Sequence, residues 1–309
     1  MFGGGGGPGG GSGNFHVNFD GSGGPGFGGG GGFESMFNMG GMGGGMGGGR
    51  QRQQQAPSQE LYPKNSSTGI APLGKAKFPN ASSKFVWIVV FYANDDPASQ
   101  QIKGAIEKLA AGVKGSFKVG AFNCKRSPQE MQFCTDKEIN VQKPNALPSF
   151  GVVVNGEFFK FDSSEKAPSM KAIHEFALSE APFSLIQQCN HPAHVEDRLT
   201  SVAKSQQKVG SILLLTDKYE TSSKYMALAY QYRNEFVFGE SRAKTLSMAQ
   251  KYKIKKYPVL VAFVPKKDDP ENVEMIRLDQ FQTSQLSQWV DQLIKSFRTK
   301  PHATTSRRR

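Results

Sequence analysis

The sequence contains no uninterrupted run of about 20 apolar residues, the length that an α-helix needs to cross a bilayer. We therefore predict no membrane segment. Met1 and Phe2 lead directly into glycines, without the charged and apolar stretches of a secretory signal peptide. The chain ends in arginines and carries no Lys-Asp-Glu-Leu-type retention signal. Because this start is also unlike that of a natural domain, we expect the sequence to be part of a longer protein.

Cysteine is scarce. The 309 residues include three cysteines, Cys124, Cys134 and Cys189, and none of them forms a Cys-x-x-Cys motif. This spacing argues against a redox-catalytic pair. Cys189 lies near His191 and His194, but a carboxylate or second cysteine is missing, so we predict no metal site and no cofactor.

Glycine divides the chain into two regions. Residues 1–60 hold 26 of the 36 glycines and few large aliphatic side chains. Such a segment cannot bury enough apolar surface to offset the entropy of ordering, so we predict that it is disordered. The remaining roughly 250 residues suit two domains of ordinary size. We place these domains at residues 61–182 and 183–300, followed by a basic disordered tail at 301–309.

The formal net charge of +12 comes mostly from lysines spread over the globular part. Lysines cluster at residues 251–256, and arginines occupy 307–309. The sequence contains neither an RNA-binding module pattern nor repeated Arg-Gly-Gly units. A solvated basic surface is therefore the favoured interpretation, and we expect no nucleic-acid partner.

The first domain contains an apolar run that ends in Phe-Tyr-Ala at residues 91–93. An amphipathic helix is predicted next, because apolar side chains recur at helical spacing: Ile106, Leu109, Ala110 and Val113. A second apolar run at 117–124 and the string Ala-Leu-Pro-Ser-Phe at 146–150 follow in order. Across roughly residues 60–180 these blocks resemble a protein disulfide isomerase catalytic domain. The resemblance implies a thioredoxin-like α/β fold.

The resemblance places the two catalytic cysteines of that family at Asp96 and Ser99. The family's mechanism needs a low-pKa thiolate at a helix N-terminus and a second thiol that resolves the mixed disulfide. Aspartate and serine supply neither, but both are good N-cap residues, so we predict an ordinary helix start. Catalytic members also carry a buried glutamate where this chain has Val90, which we expect in the core. We therefore predict that the domain is not an enzyme.

Many domains of the same family have cysteines at the positions of Cys124 and Cys134. The resemblance implies a structural disulfide between them in an oxidising compartment. Packed free thiols are the alternative.

The pattern restarts after Pro182. We predict helices over residues 195–204, 221–232, 243–252 and 284–297, and strands over 209–216, 235–239, 254–263 and 273–278. This order again resembles thioredoxin, and residues 217–222, at the active-site position, again lack cysteine. We therefore predict two redox-inactive thioredoxin-like domains in series.

Pro148 and Pro258 match a loop whose proline is cis in thioredoxin folds. The resemblance implies that the backbone beside each proline, together with Leu147 or Tyr257, forms a shallow groove for extended peptides. A purely structural loop is the alternative.

The glycine-rich segment carries short Phe-rich insertions at residues 15–20 and 33–37. It resembles the Gly/Phe region of DnaJ-type co-chaperones, with a generic linker as the alternative. The J-domain signature His-Pro-Asp is absent, and the only similar string is His-Pro-Ala at residues 191–193. We therefore expect a DnaK-type partner only if a J-domain lies upstream.

Asn65 and Asn80 each begin an Asn-x-Ser glycosylation motif. They favour the endoplasmic reticulum lumen if an upstream signal peptide exists, and the cytoplasm is expected otherwise.

We predict a redox-inactive, disulfide isomerase-like chaperone or co-chaperone module that binds unfolded or partner polypeptides. One alternative is a thiol-disulfide oxidoreductase that uses Cys124 and Cys134. Another is a passive scaffold for a partner protein.

Overall fold

A computed structural model describes residues 60–64, 67–162, 169–266, 269, 272–279 and 281–298. Of the segments predicted to be disordered, 1–60 and 301–309, only Glu60 is among these residues. The glycosylation acceptor Asn65 lies outside them. In the part of the chain that the structure describes, no helix is both long and apolar enough to cross a membrane.

The first five-stranded sheet has the order β1-β3-β2-β4-β5. Its strands are β1 Ile70–Leu73, β2 Trp87–Tyr92, β3 Lys118–Asn123, β4 Ser149–Val154 and β5 Glu157–Lys160. The helices are α1 Pro97–Gln101, α2 Lys103–Gly112, α3 Pro128–Asp136 and α4 Met170–Ser179. Strand β2 is parallel to β3 and antiparallel to β4.

Alternate residues of β2 enter two different cores, as expected for a strand that is covered on both faces. Val90 packs with Ile106 of α2 and Ile173 of α4 on one face. Phe91 packs with Cys134 of α3 on the other.

The second sheet repeats this order as β6-β8-β7-β9-β10. Its strands are β6 Ile186–Gln188, β7 Gly210–Leu215, β8 Phe236–Ser241, β9 Val259–Pro265 and β10 Val273–Asp279. The helices are α5 Pro192–Val195, α6 Ser201–Ser205, α7 Ser223–Gln231, α8 Leu246–Lys251 and α9 Leu286–Phe297, and the π-helical stretch Glu196–Thr200 joins α5 to α6. Both sheets therefore have the predicted thioredoxin-like α/β arrangement.

Several elements of the second domain differ from their predicted bounds. The strand predicted over 254–263 begins only at Val259, after the cis Pro258. The helix predicted over 243–252 begins only at Leu246, because Ala243 and Lys244 have left-handed φ angles of 56° and 52°. Strand β8 continues to Ser241, beyond the predicted end at residue 239, because the structure buries Glu240. The helix predicted from residue 195 begins at Pro192, where the side chain of His191 caps it.

Helix α7 was predicted to have one apolar face, but the structure buries two. Tyr225 and Leu228 pack in the core of the second domain. Met226 and Tyr230, both 0% exposed, belong to the core of the first domain. One helix therefore contributes to two hydrophobic cores.

Polar contacts hold Tyr230 in place. Its hydroxyl accepts a hydrogen bond from the backbone N–H of Asn155 (2.8 Å) and donates one to Asn155 Oδ1 (3.0 Å). The guanidinium carbon of Arg233 lies 4.0 Å from the centre of the Tyr230 ring. Arg233 Nη2 also donates to the carbonyl oxygens of Ala81 (3.3 Å) and Ser83 (3.2 Å). These contacts join the two domains through α7.

We predict that Tyr230→Ala lowers the stability of both domains together, by about 3–5 kcal/mol, because it leaves a cavity in a shared core. The chain has two tryptophans, Trp87 in the first domain and Trp289 in the second. Urea unfolding followed by fluorescence in Trp289→Phe and Trp87→Phe backgrounds therefore reports on each domain separately.

The control is Tyr230→Phe, which keeps the ring and loses the hydroxyl, at a cost of about 1 kcal/mol. Two well-separated transitions in the parent protein would contradict the shared core.

Candidate functional site

The start of α1 contains Asp96 and Ser99, the positions at which the resemblance places the catalytic cysteines. Asp96 is the N-cap residue, and its Oδ2 accepts hydrogen bonds from Ser99 N (2.7 Å) and Ser99 Oγ (2.6 Å). Pro97 fills the first helical position, where a missing N–H costs little. Ser99 is 0% exposed. The Asp96 carboxylate thus accepts a hydrogen bond from a backbone N–H at the start of α1, the place where a catalytic thiolate would lie.

Val90 lies in the core, as expected, with 0% exposure. Its neighbours across the sheet are Ala121 on β3 and Phe150 on β4. Neither neighbour titrates, so this position offers no group that could take or give a proton.

A hydrogen-bonded network around Glu60 lies next to this helix start. Tyr92, the last residue of β2, donates to Glu60 Oε2 (2.7 Å), and Arg126 Nε donates to Glu60 Oε1 (3.0 Å). Burial alone raises the pKa of the Glu60 carboxyl, but the hydrogen bonds from Tyr92 and Arg126 and the charge of Arg126 outweigh it and lower that pKa. Glu60 is therefore held as a carboxylate.

Two further contacts tie the same segment down. The backbone N–H of Leu61 donates to Asn94 Oδ1 (3.1 Å). The ring of Tyr62 packs edge-on against Tyr92, with ring centres 5.0 Å apart, and Tyr62 is 2% exposed. Residues 60–62 therefore pack against the carboxyl end of β2, beside the start of α1.

Cys124 and Cys134 form a disulfide with an S–S distance of 1.99 Å. Both residues are 0% exposed and lie in the core with Phe91 and Phe122. Cys134 is near the end of α3, whose N-cap is Ser127, so no helix N-terminus stabilises a thiolate there. This geometry suits a structural cross-link.

Cys189 is a free, buried cysteine. Its Sγ lies 3.7 Å from the carbonyl oxygen of Gln187 and 3.8 Å from that of His194. Burial raises the pKa of the Cys189 thiol to about 11, despite the opposing charge of Arg198. Among the described residues, no group of three or more His, Cys, Asp or Glu side chains could hold a metal ion.

The second domain buries a carboxylate that sequence reasoning did not single out. Leu214 on β7 pairs with Leu260, two residues after Pro258, just as Val90 pairs with Phe150, two residues after Pro148. Beside Leu214, on β8, lies Glu240, which is 3% exposed. The available sequence signal was a glutamate directly after the predicted strand 235–239, a position where a charged residue usually marks the end of a strand.

Glu240 has few compensating partners. Thr221 Oγ1 donates to Glu240 Oε1, and Arg242 Nε lies 3.2 Å from the same oxygen. Its Oε2 has no hydrogen-bond partner among the described residues. Burial raises the pKa of the Glu240 carboxyl, and neither Thr221 nor the charge of Arg242 brings it back to its usual range.

Both predicted cis prolines are cis, but the two loops differ. In the first domain Leu147 is 6% exposed and packs in the core, so its side chain adds little surface to the groove predicted there. Pro148 is half-buried. In the second domain Pro258 is exposed and Tyr257 is half-buried, so only this loop presents its cis proline openly.

Two strongly exposed apolar side chains accompany Pro258. Tyr219 is 81% exposed and Leu246 is 70% exposed. Arg242 Nη1 donates to the carbonyl oxygen of Tyr219 (2.9 Å), which ties this residue to the end of β8. Burial and the nearby charge of Asp217 raise the pKa of Tyr257, which places Tyr257 beside the same loop. We call Tyr219, Leu246 and Tyr257 the apolar rim.

The loops that carry the apolar rim meet at one end of the second sheet. Strands β7 and β8 end there, and β9 begins there after Pro258. The rim was not predicted as a set, because its members are scattered in sequence and only the loops bring them together.

Asn80, the second glycosylation acceptor, lies exposed in a turn. Its Oδ1 accepts hydrogen bonds from Ser82 N (3.0 Å) and Ser82 Oγ (2.7 Å). The acceptor side chain and the hydroxyl of the motif are thus already in contact.

No protein-family model matches the chain. A Dictyostelium discoideum protein that is provisionally named a protein disulfide-isomerase is 28% identical over 186 residues, which cover 60% of this chain and 42% of that protein. The chain therefore spans less than half of the length of this relative.

Solved structures of similar proteins include ERdj5 form II, with a TM-score of 0.42 at 15% identity over 74% of this chain and 30% of that one. Human ERp44 form I has a TM-score of 0.29 at 13% identity, over 72% and 55% of the two chains. The first two thioredoxin domains of Naumovozyma dairenensis Eps1p have a TM-score of 0.29 at 15% identity, over 72% and 95%. These scores are low, so the fold assignment depends on the strand order of the chain itself.

We predict that none of the three cysteines reacts in the folded protein. A thiol-reactive chromogenic reagent should label nothing in native buffer, one thiol in denaturant and three thiols after reduction in denaturant, because all three side chains are buried. Rapid exchange of Cys124 or Cys134 with glutathione in the native protein would contradict the structural assignment.

We predict that Glu240→Gln stabilises the protein at neutral pH. Because the folded-state pKa is raised, stability falls as pH rises from the unfolded value of about 4.3 through the folded value. The glutamine keeps the acceptor for Thr221 and removes the buried charge.

The measurement is urea unfolding of the parent and the variant at neutral pH and near pH 4. The advantage of the variant should shrink at the lower pH, where the native carboxyl is protonated. A variant that is less stable than the parent at neutral pH would show that the charge pairing with Arg242 outweighs desolvation.

Proposed function

We propose that this chain is a redox-inactive, disulfide isomerase-like module that binds unfolded or partner polypeptides without covalent chemistry. The apolar rim beside the exposed cis Pro258 is the observation that carries the proposal. Exposed large apolar side chains at a loop cluster are typical of interaction sites. The similarity to the Dictyostelium discoideum protein supports the same family.

The residues at the motif positions and the burial of the disulfide support redox inactivity. Asp96 and Ser99 hold no thiol, and Asp96 is committed to capping α1. The disulfide of Cys124 and Cys134 is buried where an attacking thiolate has no access. These features oppose the alternative in which the pair acts as a thiol-disulfide oxidoreductase.

We extend the proposal to a co-chaperone of the endoplasmic reticulum lumen. The Gly/Phe-rich composition of residues 1–60 and the Asn-x-Ser motif at Asn80 support it. A DnaK-type partner belongs to the proposal only if the same protein carries a J-domain. A disulfide also forms more readily in an oxidising compartment than in the cytosol.

Suppression of the aggregation of a chemically denatured client tests the function. The parent should suppress aggregation without glutathione, and Tyr219→Ser/Leu246→Ser should lose most of this effect, because the variant removes two exposed apolar contacts. Light scattering at several protein-to-client ratios gives the measurement.

The matched control is Met275→Ser, which removes a side chain that is 62% exposed on strand β10, away from the rim. If both variants suppress aggregation as well as the parent does, the rim is not the client site. If the parent itself has no effect while it retains a specific partner, the passive scaffold replaces the chaperone.

A further inference from the structure

A second surface of the protein, separate from the apolar rim, is a cleft lined by lysines. A cleft of about 460 Å³ lies where the two domains meet at α7. Lys114 and Lys118 contribute to it from the first domain, and Lys224 contributes from α7 of the second. We call it the basic cleft. Its volume falls in the range of about 300–1,000 Å³ that is usual for ligand sites.

The charge in the basic cleft is uncompensated. None of the described residues that line it is an aspartate or glutamate. None of its three lysines forms an ion pair with a carboxylate in the described ranges. Asp291, further along α9, accepts a hydrogen bond from the hydroxyl of Tyr232 (2.9 Å) and does not line the cleft. Like charges held together without a counter-ion favour an anionic ligand.

Hydrogen-bond donors accompany the lysines. Ser116, Ser284 and Ser287 line the same cleft. Ser116 Oγ lies 3.0 Å from Ser223 Oγ, a contact that spans the two domains. Helix α9 starts here with neither a side-chain cap nor an acidic residue in its first turn, which adds to the positive potential.

Apolar surface makes the cleft suitable for a chain with side chains and not only for a small anion. Phe85 is 38% exposed, and Lys118 Nζ lies 4.9 Å from the centre of its ring. Leu286 of α9 also borders the cleft, but it is buried in the core of the second domain, so Phe85 supplies the exposed apolar surface. Both domains contribute to the lining, so the site exists only while α7 holds them together.

We propose that the basic cleft binds an acidic, extended segment of a partner polypeptide, at a site separate from the apolar rim. Carboxylates of the segment pair with Lys114, Lys118 and Lys224, and its apolar atoms contact the exposed ring of Phe85. The partner is thus recognised by its charge, whereas the rim recognises exposed apolar side chains.

Fluorescence anisotropy with a labelled peptide of alternating glutamate and alanine tests the proposal at low salt, where screening is weak. The full chain should bind this peptide and release it as salt is added. The same peptide with glutamine in place of glutamate should bind far more weakly. Lys114→Gln/Lys118→Gln/Lys224→Gln should weaken binding about tenfold, which corresponds to three modest charge contacts.

The matched control removes the same charge elsewhere. Lys251, Lys255 and Lys256 are exposed around the end of α8, whose Met248 packs in the other core of the second domain. Lys251→Gln/Lys255→Gln/Lys256→Gln should change the affinity by less than about twofold. Equal losses in the two triple variants would overturn the site, as would equal binding of the glutamine peptide or no binding of the glutamate peptide.

Two further measurements distinguish this proposal from nucleic-acid binding and from client binding at the apolar rim. A single-stranded oligonucleotide that competes with the same lysine dependence would overturn the assignment to an acidic polypeptide. Tyr219→Ser/Leu246→Ser should leave the anisotropy unchanged, so a failed client assay and a failed peptide titration are distinguishable results.

Discussion

The burial of Met226 and Tyr230 inside the first domain is the constraint on which the rest of the molecule depends. A thioredoxin-like helix ordinarily serves one sheet, yet α7 contributes to the cores of two. Close packing then leaves the domains little freedom to rotate. The positions of Lys114 and Lys224 relative to one another follow from this packing, and so does the distance between Ser116 and Ser223.

The two domains share a strand order, but they differ in which residues are exposed at the same end of the sheet. In the first domain Asp96 caps the helix that faces the usual site, and the segment around Tyr62 packs alongside. In the second domain the equivalent end stays open, with Tyr219 and Leu246 exposed on loops. The first domain thus has a cross-linked core and a capped helix start, whereas the second has an accessible surface around its cis proline.

The sequence predicted those features that follow from local pattern. Val90 and the strand around it were predictable, because an uninterrupted apolar run is typical of a strand that is buried on both faces. The burial of a second face of α7 was not predictable. Nothing in the sequence shows that Met226 and Tyr230 pack in the core of the first domain and not in that of the second. Ala243 and Lys244 adopt a conformation that non-glycine residues rarely take, so propensity extended α8 too far. The burial of Glu240 was not predicted. Burying a carboxylate is costly, so a glutamate after an apolar run more commonly marks the end of a strand.

The burial of the cross-link between Cys124 and Cys134 has a consequence for biosynthesis. Once the Phe91 and Phe122 side chains close over the sulfurs, no oxidant can approach them. The bond must therefore form while the first domain is still open, and the two cysteines are only 10 residues apart in sequence. Both leave the ribosome long before α7 is made. Oxidation must therefore precede the packing of α3 against β2 and β3 that closes this core.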